Sequence, residues 1–194
     1  MEKLTQSFNK DQKVSPPSTL ILDIAKLGNP VLRNIAKPVK DITEPQISRL
    51  IDSLIATAVA HNGVGIAAPQ VSQSFRLFIV ASRPNIRYPN APKMQPTAMI
   101  NPKIVSYSVE KVKDWEGCLS VPGLRGLVPR NQAIEVEYLT REGVLEKKVL
   151  TDFIARIFQH ELDHLDGILF LDRLESKEDL YSEAEYLKQI QLGD

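Results

Sequence analysis

Apolar residues first recur at helical spacing shortly after residue 40. Thr43, followed three residues later by Gln46, has the pattern of a capping box, in which each side chain bonds the other residue's backbone N–H. The apolar positions that follow repeat every three or four residues and comprise Ile47, Leu50, Ile51, Leu54, Ile55 and Ala58. This spacing predicts an amphipathic helix that ends at Asn62-Gly63.

A second helical pattern lies between residues 151 and 167. Thr151 or Asp152 is expected to cap its N-terminus, and Gly167 stands where a left-handed residue would end it. The apolar stripe of this helix consists of Ile154, Phe158, Leu162 and Leu165. A last helix is expected where Ser176 precedes Asp179 by three residues. Its apolar positions are Leu180, Ala184, Leu187 and Ile190.

Short β-type runs occupy much of the remaining chain. Strands are predicted at 20–24, 77–81, 104–109, 133–139 and 145–150, the last two joined as a hairpin by Thr140 to Gly143. Between Arg83 and Pro102, five prolines predict mostly loop and edge structure. The pattern predicts a single α+β domain in which antiparallel sheets surround the helix at 151–167, with one further helix towards each end.

Length and charge are consistent with one domain that has no strongly charged partner. The chain has 194 residues, of which 1–19 form a polar stretch expected to be a flexible tail before a domain over 20–194. Lys and Arg together number 24, as do Asp and Glu, so no global field attracts nucleic acid or an anionic membrane. The apolar runs are too short for a membrane span, which takes roughly 20 residues. A soluble protein is expected, without a secretory signal.

An H-E-x-x-H sequence lies inside the second predicted helix. His160 and His164 are about 40° apart around the axis and about one turn apart along it, so both imidazoles can reach one cation. Glu161 projects from the neighbouring flank, where it can act as a general base on a water molecule. The alternative is a solvated polar face. It fits less well, because the histidines continue a stripe that starts with Phe153 and Ile157.

Cys118 is the one cysteine of the chain, so no intramolecular disulfide can form and a reducing compartment is expected. It is flanked by Gly117 and Ser120, which predicts a loop. A lone cysteine is more often an inert core residue. However, two histidines leave a catalytic metal site one protein ligand short of three, and Cys118 can supply that ligand. Taken by itself, a Cys-His-His set favours zinc.

The segment GVGIAAPQ, residues 63–70, follows the first predicted helix. Its glycines could simply end that helix, which is the default interpretation. The segment has neither the spacing nor the lysine of a phosphate-binding loop. Gly65, two positions after Gly63, indicates instead that the backbone approaches another group closely. Gln70 then offers a neutral side-chain donor at the end of the segment.

Taken in order, GVGIAAPQ, EGCLS and QHELDH resemble the three signature motifs of the peptide deformylase family. The likeness extends through LGNPVLR, VPGLRGLVPR and HLDGILFLD, and covers roughly residues 20–175. It implies a metal-dependent hydrolase that removes the N-formyl group from the amino-terminal methionine of new polypeptides and releases formate. The two ends of the chain lie outside the likeness, so they inform neither function nor compartment.

The resemblance also implies roles for single residues. Cys118, His160 and His164 resemble the metal ligands, and Fe(II) is the usual ion of such enzymes, with zinc, nickel or cobalt as substitutes. Glu161 would then move the proton, while the Gln70 amide and the Leu119 backbone N–H stabilise the oxyanion. The residues expected to contact the substrate are Val64, Gly65, Gly117, Arg125, Phe153 and Ile157.

Two further expectations concern the surroundings of this site and its partners. Glu116 and Arg130 are expected to pair and brace the Cys118 loop, a solvated pair being the alternative. The expected partners are nascent formyl-methionyl peptides, with transient ribosome contact. A bacterial-type cytoplasm is expected, and an organellar origin stays open.

Two other functions compete with deformylation. The H-E-x-x-H sequence alone fits a zinc endopeptidase. A cysteine as the third metal ligand argues against that function. A catalytically silent metal-binding or ribosome-associated factor is the third possibility, against which the presence of Glu161 and Gln70 argues.

Overall fold

The computed structural model describes residues 19–192, so residues 1–18 of the predicted tail lie outside the described part of the chain. Within that part the helices are α1 (Pro45–Ala60), α2 (Asp152–Leu165) and α3 (Glu183–Leu192). The strands are β1 (Gly65–Ala67), β2 (Leu77–Val80), β3 (Thr97–Tyr107), β4 (Lys111–Cys118), β5 (Val121–Asn131), β6 (Ala133–Leu139), β7 (Leu145–Thr151) and β8 (Leu180–Ser182).

The strands form two antiparallel sheets. The larger has the order β1-β2-β3-β6-β7, and the smaller has the order β4-β5-β8. Helix α2, which carries the H-E-x-x-H sequence, packs against β1, β2 and β7 of the larger sheet and also against β5 of the smaller one. The predicted α+β domain with antiparallel sheets around this helix is therefore confirmed.

Strand β2 explains how the larger sheet holds a helix on each face. All four of its residues are buried, and successive side chains point to opposite faces of a strand. Leu77 and Ile79 join the cluster that includes the apolar side of α1, whereas Phe78 and Val80 join the cluster that includes α2. Phe78 packs edge to face on Phe158 of α2, with ring centroids 5.1 Å apart. This packing holds α2 firmly against the sheet.

The start of α1 corrects the predicted capping box. The helix begins at Pro45 with Glu44 as its N-cap, and Thr43 bonds Asp41 instead of the helix backbone. Proline favours the first helical position because its fixed φ suits the first turn and its missing N–H is not needed there. The predicted end is confirmed, since the helix stops at Ala60 and Asn62 has a φ of 52°.

The segment 20–24 is not a strand, although it was predicted as one. It lies outside both sheets. Its Leu22 N–H donates to Thr57 Oγ1 at 2.9 Å, and just after the segment Ala25 N–H donates to the carbonyl of Gln70 at 2.8 Å. The proline-rich loop also ends earlier than predicted, because β3 begins at Thr97 and contains Pro102. A shift of register between Ile100 and Lys103 accommodates this proline.

Several other boundaries are confirmed or corrected. The strands at 77–81 and 104–109 correspond to β2 and to the second half of β3, and the hairpin of β6 and β7 is confirmed. Helix α2 has Thr151 as its N-cap, and Gly167 follows its end with a φ of 72°. The predicted last helix is wrong at its start. Ser176 and Asp179 cap a short 3₁₀ turn, Leu180 lies in β8, and α3 begins only at Glu183.

Strands β1, β4, β5 and β8 were not predicted. Cys118 is the last residue of β4, so the prediction that it lies in a loop is wrong. The two-residue turn at Leu119 and Ser120 joins β4 to β5, and a bulge between Glu116 and Cys118 shifts the register just before the cysteine. A bulge at this position redirects the end of the strand and its thiol.

Candidate active site

Helix α2 and the end of strand β4 bring three metal-binding side chains together. One donor atom from each of Cys118, His160 and His164 lies within 4.8 Å of the others. The Sγ atom of Cys118 is 3.2 Å from Nε2 of His164. The two histidines are one turn apart on α2, and their ring centroids are separated by 5.0 Å. The convergence expected from the sequence is therefore present in the fold.

A buried carboxylate orients one of the histidines. Oε2 of Glu116 lies 2.9 Å from Nδ1 of His160, which fixes that nitrogen as the hydrogen-bonded one and leaves Nε2 for another partner. Arg130 donates to both oxygens of Glu116, at 2.8 and 3.0 Å, and its side chain is only 6% exposed. The predicted Glu116–Arg130 pair is thus present and buried, and the solvated alternative is wrong.

Two more charged residues extend this network. Arg156 donates to Oε1 of Glu116 at 3.0 Å, and Arg130 also donates to Asp163 at 2.6 Å. Burial by itself raises the pKa of Glu116, but Arg130 and His160 lower it well below the ordinary range of a carboxyl group. Glu116 therefore stays charged and keeps its hydrogen bond with His160.

The electrostatics of the cysteine favour its metal-binding form. Burial alone raises the pKa of the Cys118 thiol, yet His164 and His160 beside it bring the pKa well below its usual value. The converse holds for His160, whose pKa burial lowers but Cys118 and Glu116 raise well above the ordinary value. This lowering of the pKa favours the thiolate, which is the form that binds metal ions.

Glu161 is buried beside these donors. Its Oε2 atom has no hydrogen-bond partner in the described part of the chain, and burial raises the pKa of Glu161 to about 7. Gly65 lies directly against this carboxylate, because a Cβ atom at Gly65 would be 2.4 Å from Oε1 of Glu161. The close backbone approach predicted for Gly65 is therefore found, and the group approached is Glu161.

The two predicted oxyanion donors flank the cysteine. The Gln70 amide nitrogen donates to Sγ of Cys118 at 3.3 Å and to Oγ of Ser120 at 3.2 Å. Its oxygen accepts the Ala67 N–H at 2.8 Å, which fixes the orientation of the amide. Leu119 lies in the turn after β4, and within residues 19–192 no group accepts its backbone N–H.

A cleft opens beside these groups. All six residues expected to contact the substrate line it, namely Val64, Gly65, Gly117, Arg125, Phe153 and Ile157. The cleft is also lined by residues to which the sequence analysis assigned no role in the site, namely Asn62, Arg87, Tyr88, Trp115 and Arg156. Arg156 could have been found, because it lies one helical turn before His160. Arg87 and Tyr88 come from the proline-rich loop, where no periodic signal identifies them.

The residues present fit a transition-metal ion. A thiolate and imidazoles are the ligands that zinc, iron and their neighbours prefer. Three protein donors also leave a coordination position open, as in catalytic metal sites. The imidazole of His160 has its hydrogen-bonded nitrogen turned towards a carboxylate, which is the usual arrangement around a metal-bound histidine.

Comparisons with known proteins agree with this geometry. The family model described as polypeptide deformylase matches residues 21–179. The chain is 66% identical over 170 residues to peptide deformylase 2 of Nostoc sp., covering 88% of this chain and 95% of the relative. It is 48% identical to peptide deformylase 2 of Shewanella oneidensis, covering 88% of this chain and 93% of that one.

Solved structures give the same result. The class I type b peptide deformylase from Acinetobacter baumannii, bound to Met-Ala-Ser, has a TM-score of 0.79 at 48% identity, over 81% of this chain and all of that one. A peptide deformylase from Synechococcus elongatus in complex with actinonin has a TM-score of 0.73 at 32% identity, over 96% of this chain and 93% of that one.

Proposed function

Because the chain belongs to the polypeptide deformylase family, we propose that its activity resides in the cleft beside Cys118, His160 and His164. The enzyme is a metal-dependent hydrolase that removes the N-formyl group from the amino-terminal methionine of newly made polypeptides and releases formate. This membership decides against the zinc endopeptidase that the H-E-x-x-H sequence alone would allow. The observation that carries the assignment of the site is the convergence of one cysteine sulfur and two imidazoles beside the buried Glu161.

The three converging donors hold the metal ion in this proposal, and the ion is Fe(II), with zinc, nickel or cobalt as substitutes. A cysteine sulfur and two imidazole nitrogens are ligands that suit transition-metal ions of this kind. When bound, the ion supplies a Lewis acid that makes water nucleophilic near neutral pH. Glu116 keeps the imidazole of His160 turned towards the ion through the 2.9 Å contact at Nδ1.

Glu161 carries the proton. Its Oε2 atom, which has no hydrogen-bond partner among residues 19–192, is buried next to the histidines. From there a carboxylate can reach both the attacking water and the scissile amide. It accepts one proton as the water oxygen bonds to the formyl carbon. It then gives this proton to the amide nitrogen as the C–N bond breaks, so formate and a free amino terminus leave. One side chain therefore serves both steps.

The Gln70 amide and the Leu119 N–H stabilise the negative charge that develops on the formyl oxygen. The bond from Ala67 N–H to the Gln70 oxygen turns the amide nitrogen towards Cys118. In this proposal one of its N–H groups exchanges its present contact for the formyl oxygen. Donors fixed in advance are effective because they need no reorganisation during the reaction.

The methionine side chain lies against Val64, Phe153 and Ile157, which line the cleft with apolar surface. Phe153 and Ile157 precede His160 on the same face of α2, so the slot ends next to the reacting group. The peptide backbone pairs with the extended segments at Gly65 and Gly117, with Arg125 beside it. Main-chain pairing of this kind makes little distinction between sequences beyond methionine.

We also propose that the enzyme meets its substrates at the ribosome and acts in the cytoplasm. The substrates are nascent chains, and the relatives found are bacterial. Among residues 19–192, no helix is both long and apolar enough to cross a bilayer.

Formate release tests the roles in the cleft. Purified enzyme is given formyl-Met-Ala-Ser, and acetyl-Met-Ala-Ser serves as a blocked control. The wild type is expected to release formate from the first peptide alone, and Glu161→Ala is expected to lose about 10²-fold or more in kcat. Glu175→Ala, which removes an exposed carboxylate that does not line the cleft, is the matched control. An unchanged kcat in Glu161→Ala would refute the proton transfer proposed here.

A further inference from the structure

One wall of the cleft is built by segments that lie far apart in sequence. Arg87 and Tyr88, from the loop before β3, and Arg125, from β5, line the cleft. Glu183 and Tyr186, at the start of α3, do not line it but contact Arg125. Tyr186 donates a hydrogen bond to the carbonyl of Arg87 at 2.5 Å. The C-terminal helix is thus attached to the wall of the site, although the signature motifs end before it.

Arg125 is the centre of this wall. Its side chain is only 5% exposed, and its guanidinium lies between the rings of Tyr88 and Tyr186, at 5.8 and 5.2 Å from their centroids. It donates to the Tyr88 hydroxyl at 3.1 Å and to the Glu183 carboxylate at 2.8 Å. Within residues 19–192, Glu183 is the carboxylate paired with Arg125. A buried cation needs such a partner, so Glu183 determines where the guanidinium lies.

The position of this guanidinium controls the space beside Gly117, where the peptide backbone of the substrate is proposed to pair. A Cβ atom at Gly117 would be 1.9 Å from Nη1 of Arg125, so the guanidinium lies directly against the Gly117 backbone. Gly117 immediately precedes Cys118. Glu183 also lies 3.4 Å from Nε of Arg87, a second cation that lines the cleft. One carboxylate therefore fixes both guanidinium groups.

We propose that Glu183 is a positioning residue for the peptide part of the substrate. It holds the Arg125 guanidinium against Gly117 and the Arg87 guanidinium nearby. The strand edge at Gly117 thereby keeps the shape that accepts an extended peptide backbone. This role rests on the proposed pairing of the peptide with that edge. Glu183 acts on the residues after methionine and does not touch the reacting atoms, so it affects binding of longer peptides and leaves the chemical step alone.

The test compares Glu183→Gln with the wild type on formyl-Met-Ala-Ser and on formyl-methionine amide, which lacks the downstream peptide. Loss of the charged partner is expected to raise KM for the tripeptide about fivefold to tenfold while kcat stays within about twofold. KM for the amide is expected to remain within about twofold, because that substrate does not reach Arg125. Glu183→Asp, which keeps the charge, is expected to recover part of the loss.

Two further variants separate this role from a structural one. Glu185 lies on the same helix, but its carboxylate accepts bonds from Ser182 N–H and Oγ, at 2.9 and 2.7 Å, so Glu185→Gln is expected to leave both KM values unchanged. Tyr88→Phe removes one partner of Arg125 and is expected to give a smaller shift in the same direction as Glu183→Gln.

Three results would overturn the role of Glu183. They are an unchanged KM for the tripeptide in Glu183→Gln, an equal loss on both substrates, and the same split in Glu185→Gln. A wild type that releases no formate from either substrate would instead overturn the proposed site on which this role depends.

Discussion

Replacing Glu116 by glutamine is expected to destabilise the fold and weaken the metal site together. The carboxylate accepts bonds from Arg130 at 2.8 and 3.0 Å, from Arg156 at 3.0 Å and from His160 at 2.9 Å. The side chains of these partners are only 6%, 7% and 10% exposed. Glutamine keeps the shape of the side chain but removes its charge, which leaves two buried guanidinium groups without that counter-charge.

The structure sets the size of the effect. Removing one partner of a buried ion pair costs about 3–5 kcal/mol. Asp163, 2.6 Å from Arg130, still compensates that cation in part, so the lower end of this range is expected. The imidazole of His160 also loses the carboxylate that orients it, and a loss of that kind weakens metal binding by about 10- to 100-fold.

Two assays measure these effects separately. Denaturant unfolding of the metal-free protein gives the change in the free energy of unfolding, and competition with a chelator gives the metal affinity. Glu175→Gln is the control, because Glu175 is 62% exposed and pairs with Lys113 at 3.3 Å, so less than about 1 kcal/mol is expected. If Glu116→Gln also cost less than about 1 kcal/mol, or bound metal as tightly as the wild type, the reasoning about this network would be refuted.

The remaining predictions concern the approach of β1 to α2 and the core between them. In Gly65→Ala the new Cβ would lie 2.4 Å from Oε1 of Glu161, so displacement of that carboxylate is expected to lower kcat by about 10-fold or more, measured by formate release. Metal content should stay at the wild-type level in that variant, and an unchanged kcat would count against the role of Glu161. Phe158→Ala is expected to cost about 3–5 kcal/mol in denaturant unfolding, because this ring is fully buried against Phe78. A loss below about 1 kcal/mol would mean that the packing of α2 on the sheet contributes little.

The parts of the fold that could be predicted from the sequence are those with a strong local period. Helix α2 and the hairpin of β6 and β7 are examples, since each has regular apolar spacing and a glycine where the chain must take a positive φ. The strands β4 and β5 lack this signal. The first four of the eight residues of β4 are exposed without alternation, and Pro122, Gly123, Gly126 and Pro129 interrupt the pattern of β5.

The candidate site divides in the same way. Its metal-binding donors could be predicted because short sequence motifs identify them, as with the two histidines one turn apart. The contacts that orient these donors could be predicted only where both partners lie in or next to a recognised motif, as for Glu116 and Arg130. The bonds from Arg156 to Glu116 and from Arg125 to Glu183 join residues 40 and 58 positions apart. Tertiary packing alone brings these side chains together, so no local sequence pattern predicts these hydrogen bonds.

The central claim is that Cys118, His160 and His164 together bind one metal ion. X-ray absorption at the metal edge of anaerobically purified protein tests it most directly, combined with metal content per chain. The account predicts one equivalent of metal with one sulfur and two imidazole nitrogens among its ligands, and loss of the sulfur contribution in Cys118→Ala. A spectrum without sulfur in the wild type, or one that is identical in Cys118→Ala, would contradict the account.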